Sequence, residues 1–183
     1  MSLEASIGDK VARIEASRGI GNVQTAMEVF AQRDRMEREA AQALGEIMFA
    51  FGRLETNLGV AAVWAGDPKG FEERAARLDG SSFHLKLEAL SERVGAEAFG
   101  EARTVYTEWL DQADKIRRLR NTLVHARWGF EHAPFAAVCV TGLPVSQRQS
   151  ATSYSIEDLR GVVGSIERLN SALTELRERW PLR

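Results

Sequence analysis

Three side chains in the second half of the chain have complementary chemistry: Arg120, Asn121 and His125. A guanidinium keeps its charge and offers a planar set of N–H donors, which suits phosphate oxygens. An unperturbed imidazole titrates near neutrality, so it can take or give a proton. A carboxamide can orient the ring or hydrogen-bond a phosphate itself. Around them, the stretch Lys115–Trp128 carries five basic residues (Lys115, Arg117, Arg118, Arg120 and Arg127) and no acid. Lys115, Arg117, Arg118 and Arg127 are suited to holding neighbouring phosphates. Trp128 can offer a stacking face to a base.

Each of these groups also has a plainer reading. Cations near a helix C-terminus suit its dipole, which accounts well for Arg127 but less well for the cluster Lys115–Arg120, one to three turns earlier. Trp128 reads equally as a core aromatic, and His125 as a helix-terminal histidine bonded to backbone. No metal site is expected, because Cys139 is the lone cysteine and the three histidines, His84, His125 and His132, show no paired ligand spacing.

The element that must carry these groups is a long helix. Phe99, Ala102, Tyr106, Trp109, Ala113, Ile116 and Leu123 recur in steps of three and four, which places them on one helical face over about Glu101 to Ala126. Arg120 falls inside that face, where an arginine needs a partner. Arg118, Asn121 and His125 form a second column beside it. Upstream, Leu44, Ile47, Met48, Phe51, Leu54, Leu58, Ala61 and Ala62 mark another helix from Met36 onward. Glu55 sits at the margin of that stripe, either as a surface carboxylate or as the partner that pairs with Arg120 or steadies His125.

The hexapeptide Arg120-Asn121-Thr122-Leu123-Val124-His125 resembles the Arg-polar-x-x-x-His signature of the HEPN superfamily. The likeness extends as a fold argument over roughly Met36–Ala126 and Ile156–Trp180. It implies a small helical bundle, a homodimer, and an RNA or nucleotide ligand. Many members are metal-independent ribonucleases of toxin or defence type, for which an antitoxin protein is a partner; others only bind nucleotides. In such a ribonuclease Arg120, Asn121, His125 and Glu55 would be the catalytic set, and a symmetric dimer would place two copies of the motif around one cleft. Two alternatives remain: a catalytically silent nucleotide- or RNA-binding relative, and a structural helical adaptor whose motif only pins helices.

The remaining chain sets the boundaries. Leu3, Ile7, Val11 and Ile14 have helical spacing, so residues 1–21 read as an arm or short helix closed by Gly19-Ile20-Gly21. Residues 22–183 read as one helical domain. Asn22 can cap its first helix, in which Gly45, Gly52, Gly59 and Gly66 recur every seven residues. Glycine in a helix interior costs about 1 kcal/mol, so this spacing suggests a groove that a neighbouring helix or a second subunit approaches closely. The alternative is that Gly66 ends the helix and the others are incidental.

Short helices are expected at Phe71–Leu78 and after Ser81 or Ser82. Residues 127–154 read as a two- or three-stranded β-insert, before a last helix whose stripe is Leu159, Val162, Ile166, Leu169, Leu173, Leu176 and Trp180. The fold class is therefore mostly α: an up-and-down bundle with a small β-hairpin insert before the last helix. The formal charge of −2, from 26 acids against 24 bases, means that any nucleic-acid contact must come from a local patch. No cofactor is expected. The single cysteine, the missing signal-peptide core and the missing membrane-length apolar run suggest a cytoplasmic protein without membrane insertion.

Overall fold

The computed structural model describes residues 26–132, 135–145 and 147–182. The expected N-terminal arm and the Asn22 cap lie outside the described residues. Among those described, five α-helices and one small sheet follow in chain order: α1 Ala26–Trp64, α2 Phe71–Leu78, α3 Phe83–Glu97, α4 Gly100–His125, then β1 Arg127–His132, β2 Phe135–Thr141 and β3 Ser150–Tyr154, and finally α5 Ile156–Arg179. The fold is mostly α, with the sheet inserted before the last helix.

Helix α1 runs unbroken for 39 residues. No proline interrupts it, and its buried stripe (Ala40, Ala43, Ile47, Ala50, Phe51, Leu54, Leu58, Ala61) keeps helical spacing throughout. It stops just before Gly66, which adopts φ +99°, a region open to glycine and strained for other residues. The carbonyls near that end need donors, and the buried Arg74 of α2 supplies them: Nε donates to the Val63 carbonyl at 2.9 Å and Nη2 to that of Asp67 at 2.8 Å. Arg103 of α4 serves the end of α3 in the same way, reaching the carbonyls of Ala98 at 2.8 Å and Gly95 at 2.7 Å.

Ser82 caps α3 by accepting from the Leu85 N–H. Ser155 and Asp158 form a reciprocal capping box at the start of α5. The Asp158 carboxyl lies below its ordinary range because the Ser155 backbone and hydroxyl hydrogen-bond its charged form.

The core forms where α1 packs along α5 on one flank and α3 on the other, with α4 closing the opposite side. Successive helices reverse direction. Two amphipathic side chains of α4 tie it to α5: the Tyr106 hydroxyl donates to the Trp180 carbonyl at 3.0 Å, and Trp109 Nε1 to that of Leu169 at 2.9 Å. Asn57 of α1 reaches Asn170 and Thr174 of α5, and Arg177 donates back to the Asn57 amide oxygen at 3.2 Å.

The insert has three strands rather than a hairpin's two. They are antiparallel in the order β1-β2-β3, with Trp128 opposite Cys139 and Cys139 opposite Thr152. Residues Ala136–Cys139 of the central strand are buried. Burial also pushes the Cys139 thiol up, away from the reactive thiolate.

No described residue fills the groove expected along the α1 glycines. A Cβ added at Gly45 or Gly52 would meet nothing within 4 Å, and at Gly59 only the Lys86 side chain, at 3.6 Å. Both α3 and α5 pack on the flanks of α1, and among the described residues nothing covers its outer face. Among the described residues, no helix is long and apolar enough to cross a membrane.

Candidate functional site at the end of helix α4

The last two turns of α4 carry the motif, and β1 starts two residues after His125. Arg120 is half-buried. Its Cζ lies 4.2 Å from the centroid of the Phe51 ring of α1, and its Nη1 donates to the Asn121 amide oxygen at 3.1 Å. Its Nε is buried and has no hydrogen-bond partner among the described residues. The ring supplies the compensation that a carboxylate would otherwise supply, because the negative face of an aromatic attracts a cation. Phe51 is itself held against Phe83 of α3, with ring centroids 4.6 Å apart.

Glu55 is therefore not the partner of Arg120. Its Oε1 pairs with Lys86 Nζ at 3.0 Å. The physical reason is rotational. Glu55 lies one turn beyond Phe51 and turns toward α3, where the Lys86 stem lies beside Gly59. The Glu55–Lys86 pair joins α1 to α3 and gives His125 no support.

Asn121 and His125 are four residues apart and share one side of α4. Arg120 and His125, five apart, are separated by roughly 140° around the helix and about 7.5 Å along it. Asn121 thus stands between them, adjacent to the arginine in sequence and one turn before the imidazole. Its oxygen is occupied by Arg120, so its NH2 group is what remains for another acceptor. His125 is exposed and has no hydrogen-bond partner among the described residues; the same is true of Lys115.

The chain matches no protein-family model, no curated protein and no solved structure.

The other basic groups divide by partner. Arg117 and Arg118 both turn back to Asp114, donating through Nε at 2.7 Å and 2.8 Å to its two carboxylate oxygens. Desolvation pushes the Asp114 carboxyl up, but the hydrogen bonds and charges of Arg117 and Arg118 outweigh it and hold the group below its ordinary range. Asp114 falls one residue before the basic stretch. Its spacing of i,i+3 and i,i+4 to these arginines was the available signal.

Arg127 donates to the Gly142 carbonyl and the Gln149 side-chain oxygen, both at 3.1 Å, and so braces the turn between β2 and β3. Trp128 is half-buried. Its indole N–H donates to the Leu123 carbonyl at 3.0 Å, and its ring lies 6.1 Å from that of Tyr154. It satisfies a carbonyl left open where α4 ends and presses the insert onto the bundle.

The arrangement offers an exposed proton-transfer group at His125, a free ammonium at Lys115, and an amide backed by a guanidinium. Among the described residues, no three His, Cys, Asp or Glu side chains come together as metal ligands.

Proposed function

We propose that the chain is a HEPN-like endoribonuclease acting through the exposed end of α4. The observation that supports this most is the open His125 imidazole one turn from Asn121, whose amide is held by Arg120. In this reading His125 takes the proton of a ribose 2′-OH, and O2′ forms a bond to phosphorus. The P–O5′ bond breaks, leaving a 2′,3′-cyclic phosphate and a 5′-hydroxyl. The departing oxygen takes its proton from His125 of a second copy facing the first. Arg120 and the Asn121 NH2 group stabilise the charge gathering on the phosphate. Lys115 holds a neighbouring phosphate, while Arg117 and Arg118 contribute only as far as Asp114 releases them.

The test is cleavage of a labelled RNA in a chelator, comparing wild type with His125→Ala. The expected result is cyclic-phosphate product from wild type and a rate lower by ~100-fold or more in the variant. Equal rates would reject the assignment.

A second reading has its own support. Arg120 spends one face on Phe51 and buries Nε, which suits a residue that pins α4 to α1 in a protein that binds RNA or a nucleotide without cutting it. RNA binding that weakens in Lys115→Ala, with no cleavage by either protein, would favour this silent binder.

A further inference from the structure

We infer that the outer face of α1 is the contact surface for a second copy of this chain, paired antiparallel about Phe49. Phe49 is 76% exposed in the middle of the longest helix. It is flanked by Gly45 one turn before and Gly52 one turn after, all three on one face. Glycine disfavours a helix interior, and no described residue needs the space, because a Cβ at either position would meet none of their atoms within 4 Å. A protruding ring between two shallow sites is a self-complementary shape. The ring of one copy can rest beside the bare glycine backbone of the other.

The charges select the partner and its direction. Glu46 lies three residues before Phe49 and Arg53 four after it, both toward the flank on which α5 packs. A two-fold axis through the Phe49 level reverses the second helix and keeps that flank on the same side. Each Glu46 then faces Arg53 of the other copy, giving two ion pairs around the rings. Parallel pairing, about an axis along the helices, would instead carry the two flanks to opposite sides and form neither ion pair. Within one chain these two side chains are only lightly engaged: Glu46 accepts from Gln42 at 2.8 Å, and Arg53 reaches Glu167 at 3.4 Å in an exposed pair.

This contact is independent of the ribonuclease reading. It lies across α1 from Phe51 and Arg120, so it leaves both motifs open and is not the contact that would bring two His125 rings together.

The experiment is sedimentation velocity of the full chain over a wide concentration range. Wild type is expected to pass from monomer to dimer. Phe49→Glu is expected to lose this pairing with an unchanged circular dichroism spectrum, and Phe49→Ser to weaken it should the charged variant fail to fold. Glu46→Arg and Arg53→Glu alone should each raise the dissociation constant by about tenfold or more, and the double charge swap should restore it. A monomeric wild type would overturn the inference, whether the face is then bare or covered by residues 1–25. So would a dimer indifferent to Phe49, or a double swap that fails to recover pairing.

Discussion

Arg120 is held by two surfaces, a ring face and an amide oxygen, and buries Nε without an acceptor among the described residues. Arg120→Ala should therefore lower stability by about 2 kcal/mol, measured by urea unfolding. Arg120→Lys should recover little of it, because an ammonium cannot lie flat on the ring. Asp114 sets the opposite kind of expectation. Its folded carboxyl titrates below the ordinary range, so the stability it contributes is present above that range and is lost as pH falls through the lowered value. Asp114→Asn should flatten this part of the acid limb in melts across pH. It should also release Arg117 and Arg118, tightening RNA binding and steepening its salt dependence by about one to two phosphates, read by titration at several salt concentrations.

At this scale the placing of Asn121 and His125 on one side of the helix, and of Arg120 within its apolar face, was legible, since helical periodicity alone sets both. Their partners were not. Phe51 and Lys86 come from other helices, and which carboxylate meets which cation depends on rotations of a few tens of degrees.

Helix α1 carries glycines where the described residues leave room for side chains. Gly52→Ala should raise the stability of the protomer by about 1 kcal/mol, seen as a higher urea midpoint at concentrations where the protein is monomeric. A glycine required by a neighbouring helix of the same chain would give the reverse. The helices themselves were readable because apolar residues in steps of three and four leave few other options, and Ser155 with Asp158 marked the start of α5. What fills the glycine groove was not legible, because a sequence shows that a side chain is missing without showing what comes near. The caps by Arg74 and Arg103 escaped notice for a related reason: each arginine serves carbonyls of the preceding helix, and no local pattern records that.

Across the whole molecule, α4 and α5 are joined at their far ends through Tyr106 and Trp109. Burial raises the Tyr106 phenol, and the nearby Arg177 charge offsets this only in part. A folded pKa raised above the unfolded one gives stability that is complete below the ordinary phenol range and lost as pH climbs through the raised value. Tyr106→Phe should cost about 1 kcal/mol at neutral pH through the lost hydrogen bond, and should soften the alkaline decline in unfolding measurements.

The bond from the Trp128 indole to the Leu123 carbonyl carries a last consequence. It fastens the first strand to the same helical turn that presents the imidazole. Cutting out residues 127–154, or exchanging them for a short linker, would fray that turn and let the histidine wander. The strands act as a clamp on the reactive end, and the emission of this one indole would report whether the clamp is shut.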